Sequence, residues 1–187
     1  MTIFDEAIKL AVSAHSGQTR KTDSTPYILH PMEVAAIVGS ITGDLDVLTA
    51  AMLHDAVEDT VVSVDEIGAK YGERVAELVD AETEDKRDGR PPEETWRPRK
   101  EASLQALAES GDRDVKILWL ADKLANLRTI QRALVRDGAS VWKKFHQSDP
   151  QEQGWYYRSV ADLLKEELGD TSAWQEYDAL IHDVFGK

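Results

Sequence analysis

Apolar residues that recur every three to four positions are the feature that most constrains this chain. The segment after Thr2, a residue suited to an N-cap, carries such a stripe at Phe4, Ala7, Ile8, Ala11 and Val12. The sequence shows no alternation of apolar and polar residues of the kind that indicates a half-buried strand. It therefore predicts an all-α fold. A length of 187 residues suits a single domain, 1–187, that buries a core without disulfides.

Turn residues divide the rest of the chain into predicted helices. Residues 17–29 form a predicted loop, after which Pro31 fits the first position of a second helix. A third helix is expected over 45–57. Ser63 and Glu66 have the spacing of a capping box. The remaining helices are expected from there to about Gly72, up to about Ala81, and over 99–109, 114–136, 151–168 and 172–185. Residues 82–98, with three prolines, are expected to be an irregular loop.

The bulk composition excludes several classes of protein. A net charge of −13 argues against a general nucleic-acid binder, although local basic residues can still bind a small anion. The absence of cysteine excludes disulfides and thiolate metal sites. Charged residues interrupt the most apolar stretch, 115–127, and the N-terminus lacks a basic segment followed by an apolar run, so neither a membrane span nor a signal peptide is predicted. We expect a cytoplasmic protein.

The dipeptide His54-Asp55, at the end of the apolar run LTAAMLHD, is the first candidate site. Imidazole and carboxylate are ordinary ligands of divalent transition metals. Glu58 and Asp59 follow one helical turn later, so four ionisable groups are expected on neighbouring faces. Buried carboxylates are costly without a cation, which favours a metal site. A helix terminus whose acidic residues extend into solvent remains the alternative.

Asp122 is the second candidate, because it lies within the apolar helix ILWLADKLANL. Asn126 and Thr129 continue the same polar strip. A metal would stabilise the buried carboxylate, but an ion pair with Lys123 or Arg128 would do so as well. His30, before a proline, is the third candidate, and its default interpretation is structural. No role is assigned to His15, His146 and His182.

The order of these residues resembles the signature of HD-domain phosphohydrolases, namely His30, then His54-Asp55, then Asp122. The segments GQTRK and PYILHP, then AAMLHDAVEDT, then LADKLANLRTI are similar to the hydrolase motifs of RelA/SpoT proteins. The likeness is strongest to free-standing small alarmone hydrolases, including the metazoan SpoT homologues, and it covers roughly residues 5–130. The resemblance implies an HD-type helical bundle with a metal site between core helices.

The resemblance also implies a function and a set of roles. It implies Mn²⁺-dependent hydrolysis of the 3′-diphosphate of (p)ppGpp, which yields GDP or GTP and pyrophosphate. The small nucleotide substrate is then the expected partner. The implied roles, residue by residue, are metal ligation by His30, His54, Asp55 and Asp122, water activation by Glu58 and Asp59, and substrate binding by Arg20, Lys21, Asn126 and Thr129.

Two departures from the family pattern concern the substrate. Ala125 stands where the family commonly has a histidine, and the stretch that includes 82–98 is longer and more acidic. From that stretch Lys86 is predicted to bind phosphate, with Arg97 and Lys100 as further candidates and Trp96 as a stacking surface. The alternatives left open are an HD phosphohydrolase of another nucleotide such as NADPH, a nucleotide sensor without turnover, and a purely structural helical module. The complete set of inferred ligands argues against the sensor.

Overall fold

The computed structural model describes residues 2–84 and 90–186. These residues contain helices joined by short connections and no strand, apart from an isolated antiparallel bridge between Thr19 and Pro26. The all-α prediction is confirmed. The helices are α1 (Ile3–Ala14), α2 (Leu29–Gly39), α3 (Leu45–Leu53), α4 (Ala56–Asp59), α5 (Val64–Tyr71), α6 (Glu73–Glu82), α7 (Pro92–Glu109), α8 (Arg113–Asp137), a 3₁₀ helix (Gly138–Lys144), α9 (Pro150–Leu168) and α10 (Ser172–Phe185).

The predicted N-cap at Thr2 and the predicted capping box at Ser63 are both present, and Thr2 also forms a capping box. The Thr2 hydroxyl accepts from the backbone N–H of Asp5, whose carboxylate accepts in return from the Thr2 N–H at 2.7 Å. Ser63 and Glu66 make the same reciprocal pair at the start of α5. Such caps satisfy backbone donors that a helix cannot pair internally. Both predictions from sequence are confirmed.

Helix α8 runs through the centre of the molecule and contacts α2, α3, α6, α9 and α10. Its residues Leu118, Leu120, Leu124 and Leu127 are fully buried, so apolar neighbours surround most of its circumference. Asp122 lies in the middle of this buried stretch and is therefore held in the core beside α2 and α3. Despite the length of α8, no described helix is long and apolar enough to cross a membrane.

The expected irregular loop over 82–98 is wrong at both ends. Helix α6 continues to Glu82, and α7 begins at Pro92, where a missing N–H costs nothing because the first helical turn has no internal acceptor for it. Trp96 is buried against Trp155 and Tyr156, and this burial favours continuing the helix through Pro98. Tertiary packing thus outweighs the local effect of proline.

The second correction concerns the expected continuous helix over 45–57. Helix α3 ends at Leu53, and the short α4 begins at Ala56, so His54 and Asp55 occupy the break between them. The N–H of Asp59 still donates to the carbonyl of Asp55 at 2.9 Å. A smaller correction applies to α2, which begins at Leu29, two residues before Pro31. The break frees the His54-Asp55 backbone from a straight helical path.

Candidate active site

Four side chains from three parts of the fold converge beneath the surface. His30 comes from α2, His54 and Asp55 from the α3–α4 break, and Asp122 from α8. The His30 Nε2 lies 3.0 Å from an Asp122 oxygen and 3.4 Å from an Asp55 oxygen. The His54 Nε2 lies 3.2 Å from Asp55, 3.7 Å from Asp122 and 3.3 Å from the His30 Nε2. The structure therefore brings all the predicted metal ligands together around one point.

The orientation of the imidazoles fits metal binding. The Nδ1 of His54 lies 2.8 Å from the carbonyl oxygen of Ala51, so Nδ1 carries the donated proton and Nε2 faces the cluster. Burial lowers the pKa of His54, but the neighbouring carboxylates outweigh burial and raise it above its ordinary value in the metal-free protein, so a metal ion would take the place of the proton on Nε2. His30, His54 and Asp122 each place a ligand atom within 4.8 Å of the others. Two imidazole nitrogens with carboxylate oxygens are a donor set suited to divalent transition metals. The residues present thus fit a divalent ion.

The charges of the cluster also favour a cation at its centre. Burial raises the pKa of Asp55, but the charge of His54 and its hydrogen bond outweigh burial and hold the pKa below its ordinary value. Burial likewise raises the pKa of Asp122, and Lys123 and the imidazoles outweigh it, so the pKa lies well below the ordinary value. Burial lowers the pKa of His30 and keeps that ring neutral. Both carboxylates therefore stay in the deprotonated form that metal binding requires.

Tyr27 joins the cluster to the catalytic candidates on α4. Its hydroxyl donates to Asp55 Oδ2 at 2.7 Å and lies 3.2 Å from Asp59 Oδ2. Burial, together with the charges of Asp55 and Asp59, raises the pKa of Tyr27, so the hydroxyl remains a donor. Sequence reasoning missed this residue. The available signal was its place in PYILHP, three residues before His30.

A hydrogen-bonded pair supports the end of α4. The Gln18 side chain donates to the carbonyl of Asp59 at 3.0 Å and lies 2.8 Å from Nδ1 of His15. His15 is buried, and its ring centre lies 5.0 Å from that of Tyr27. Because α4 is so short, such contacts replace the internal bonds that would fix a longer helix. Glu58 accepts from the backbone N–H of Glu84 at 3.3 Å.

A second chain of hydrogen bonds links a predicted substrate residue to a metal ligand. Arg20 donates to the Asn126 side-chain oxygen at 2.8 Å, and Asn126 donates to Asp122 Oδ1 at 2.7 Å. Thr129, by contrast, is buried and donates to the carbonyl of Ala125 at 3.1 Å. Thr129 and Ala125 are not among the residues that line the two cavities described next.

Two adjoining cavities open at the cluster. The larger, of about 510 Å³, is in the range of small-ligand pockets, and the smaller, of about 170 Å³, lies against the metal ligands. They share Tyr27, Glu58, Asp59 and Asn126. The other residues of the larger cavity are Thr19, Arg20, Lys21, Thr22, Arg90, Pro92, Arg99, Phe145 and His146. Lys21 therefore lies where an anionic ligand would bind. His146 lies in the same cavity, although no role was predicted for it.

Asp122 has an ion-pair partner as well as the imidazoles. The Lys123 ammonium lies 2.5 Å from Asp122 Oδ2 and 2.7 Å from Glu82 Oε1, with all three side chains largely buried. The pairing with Lys123, raised as an alternative from sequence, is present together with the convergence on His30. Burial raises the pKa of Glu82 to about 8, against the opposing charge of Lys123. Sequence reasoning missed Glu82 because α6 was expected to end before it.

The residues of the 82–100 stretch divide between the cavity and the core. Arg97 binds Glu101 and Glu152 and lies 3.4 Å over the ring of Trp155, so it is engaged away from the cavities. Trp96 is buried in the aromatic cluster and has no free face for a base. Lys100 lines the smaller cavity. Lys86 lies outside the described residues, and its role stays a prediction.

Comparison with known proteins identifies the family. A family model described as HD domain matches residues 7–150. The chain belongs to the HD domain family. The chain is 41% identical over 132 residues to the guanosine-3′,5′-bis(diphosphate) 3′-pyrophosphohydrolase MESH1 of Mus musculus. The aligned region covers 68% of this chain and 69% of that relative.

Two further relatives extend the comparison. The guanosine-3′,5′-bis(diphosphate) 3′-pyrophosphohydrolase of Vibrio cholerae is 40% identical over 127 residues, 65% of this chain but 17% of that protein. The HD domain thus spans about a sixth of the Vibrio relative. A solved structure titled "A metazoan ortholog of SpoT hydrolyzes ppGpp and plays a role in starvation responses" superposes with a TM-score of 0.78 and 27% identity over 100% of this chain and 98% of the other. The resemblance stated from sequence is confirmed.

Proposed function

We propose that this protein is a metal-dependent hydrolase that removes the 3′-diphosphate of (p)ppGpp and releases GDP or GTP together with pyrophosphate. The observation that carries the proposal is the convergence of His30, His54, Asp55 and Asp122 beside a cavity of about 510 Å³ that Arg20 and Lys21 line. Relatives named as 3′-pyrophosphohydrolases of guanosine-3′,5′-bis(diphosphate) support the same reaction.

The metal ligands and the α4 carboxylates have separate tasks in this proposal. A bound divalent ion would polarise the phosphate and lower the pKa of a water molecule. His30, His54, Asp55 and Asp122 would hold that ion. Glu58 or Asp59 then accepts the proton of the attacking water, a contribution of roughly 10²–10⁴-fold to the rate. Both line the two cavities, so both are within the space that substrate would enter.

The basic residues of the larger cavity bind the anionic substrate. Arg20 is held by Asn126, which is itself bound to Asp122, so the guanidinium is fixed relative to the metal ligands. Lys21 adds a second cation from the same segment. Together they offset the charge that accumulates on the phosphate oxygens in the transition state.

The proposal includes Mn²⁺ as the bound metal and the cytoplasm as the location of the protein. The ligand set, imidazole and carboxylate without thiolate, is compatible with Mn²⁺. A small nucleotide is the proposed partner, and the net charge of −13 is unfavourable for binding nucleic acid. A cytoplasmic location would supply both the nucleotide and the metal.

The test is turnover of the purified protein with Mn²⁺ against ppGpp, pppGpp and NADPH in parallel, with the products identified. Release of pyrophosphate and GDP from ppGpp is the expected result. Asp122→Ala should abolish both metal binding and turnover, whereas Glu58→Gln should keep the metal and lose most of the rate. Cleavage of NADPH but neither guanosine nucleotide would reject the proposed substrate while retaining a phosphohydrolase.

A further inference from the structure

Arg99 and Lys100, from α7, share a single carboxylate at the edge of the active site. Arg99 donates to Glu84 Oε1 at 2.6 Å and Lys100 to Glu84 Oε2 at 2.5 Å. The three side chains are only 12%, 19% and 13% exposed, so these charges are shielded from water. Two cations thus share one carboxylate, and an incoming anion that took the place of Glu84 would find both of them already close together.

The same cluster contains an unsatisfied donor. The Nε–H of Arg99 is buried and has no hydrogen-bond partner among the described residues. A buried donor without a partner is rare in folded proteins and points to a group that binds there. Arg99 lines the larger cavity, which gives an incoming anion access to the guanidinium.

The position of the cluster connects it with the reacting centre. The backbone N–H of Glu84 donates to Glu58, one of the two residues proposed to accept the proton of the attacking water, at 3.3 Å. Lys100 and Glu84 line the smaller cavity together with His30, Asp55 and Asp122. Lys100 therefore borders the space beside the metal ligands, and Arg99 borders the adjoining larger cavity. Both lie on a different segment of the chain from Arg20 and Lys21.

We propose that Arg99 and Lys100 form a second phosphate-binding pair, which holds the diphosphate that the reaction releases, and that Glu84 is an internal anion which the diphosphate displaces. The proposal rests on the proposed function and deepens it, because it assigns the leaving diphosphate to its own cations. Guanidinium and ammonium groups suit this task, since both make strong charge-assisted hydrogen bonds to phosphate oxygens.

The affinity for pyrophosphate distinguishes a Glu84 that the diphosphate displaces from a Glu84 that only forms a structural ion pair with Arg99. If Glu84 competes with the diphosphate, Glu84→Gln should strengthen pyrophosphate binding and Arg99→Gln should weaken it. If the pair is only structural, both substitutions should act in the same direction or not at all. Arg97→Gln is the matched control, because Arg97 lies on the same helix but is engaged by Glu101 and Glu152.

The experiment measures inorganic pyrophosphate binding by calorimetry to the metal-stripped protein, and pyrophosphate inhibition of the metal-loaded enzyme. We expect about a tenfold loss of affinity for Arg99→Gln, a gain of several-fold for Glu84→Gln and no change for Arg97→Gln. Shifts of the same sign, or none, in folded variants would overturn the proposal. Arg99→Lys, which keeps the charge, should retain part of the affinity and serves if Arg99→Gln does not fold.

The test of the Arg99–Lys100 pair gives a result that is independent of the test of ppGpp hydrolysis. The opposite shifts in pyrophosphate affinity, without turnover of ppGpp or pppGpp, would leave the anion-binding pair standing and reject the substrate. Turnover of ppGpp with pyrophosphate affinity unaffected by Arg99→Gln and Glu84→Gln would support the proposed function and reject the pair.

Discussion

The hydroxyl of Tyr27 donates to Oδ2 of Asp55 at 2.7 Å and so ties the segment before α2 to the break between α3 and α4. The same hydroxyl lies 3.2 Å from Asp59. Because a phenol has one proton to donate, Tyr27 can satisfy only one of the two carboxylates at a time. The shorter contact is to the metal ligand, so we expect the hydroxyl to act mainly by orienting Asp55.

Tyr27→Phe should therefore reduce activity while preserving the fold. The ring would keep its packing against His15, but Asp55 would lose a donor that orients it. Partners of metal ligands of this kind are worth about 10–100-fold in metal affinity or activity. Metal titration and steady-state kinetics would measure the loss. Tyr71→Phe removes a hydroxyl that binds the carbonyl of Glu6, away from the site, and should leave both quantities unchanged.

Asn126→Ala should raise KM more than a surface substitution on the same helix. Asn126 holds Arg20 at 2.8 Å and Asp122 at 2.7 Å, so its loss frees the guanidinium and removes a donor from a metal ligand. An increase of about tenfold in KM corresponds to one charge-assisted hydrogen bond. Gln131→Ala, which removes an exposed amide, is the control. Equal KM values for the two variants would contradict the role of Asn126.

Lys123→Met should strongly destabilise the metal-free protein. It would leave the Asp122 carboxylate buried without its adjacent cation and the Glu82 carboxyl without its hydrogen-bond donor, and breaking a buried pair costs about 3–5 kcal/mol. Denaturant unfolding would measure the change. Lys116→Met is a matched control, since Lys116 pairs with the more exposed Glu167 and its loss should cost less. Added metal should restore part of the stability of Lys123→Met, because the metal would compensate the Asp122 charge.

The ion pair of Arg74 with Asp112, the N-cap of α8, makes stability depend on pH. Hydrogen bonds from Arg74 hold the pKa of Asp112 below its ordinary value of 3.8. A depressed carboxyl pKa adds stability above the ordinary value, and this stability is lost as pH falls through the folded value. Arg74→Gln should therefore lower the free energy of unfolding at pH 7 by about 0.5–1 kcal/mol, a small effect because both groups are partly exposed. The free energies of unfolding of the unsubstituted protein and of Arg74→Gln should therefore converge as the pH falls below the ordinary carboxyl pKa of 3.8. A difference between the two proteins that stays constant with pH would contradict the assignment.

The sequence predicted the all-α fold because helical periodicity is a local pattern. This periodicity identified most of the helices. His54-Asp55 and Asp122 were conspicuous as polar residues in apolar segments, but the full set with His30 came from the resemblance to HD-domain phosphohydrolases. The structure brings these four side chains together. The N-cap of α1 and the capping box of α5 were predictable because every participating residue lies within one turn.

The remaining features depend on contacts between distant segments. Proline composition predicted a loop at 92–98, but burial of Trp96 against α9 stabilises a helix there. The break at His54-Asp55 has no glycine or proline to mark it. Tyr27 acquires its partners only when the start of α2 packs against the α3–α4 break and α4, and Glu82 acquires Lys123 only when α6 packs against α8. Those pairings could not be derived from the spacing of residues along the chain.

The central claim is that one ion held by His30, His54, Asp55 and Asp122 supports removal of the 3′-diphosphate. The most direct measurement is a titration of the metal-stripped protein with Mn²⁺ in which bound metal and pyrophosphate release from ppGpp are followed together. We expect turnover to rise in proportion to occupancy and to saturate at one ion per chain, with Asp122→Ala abolishing both signals. Turnover in the stripped protein, or full metal binding by Asp122→Ala, would contradict the account.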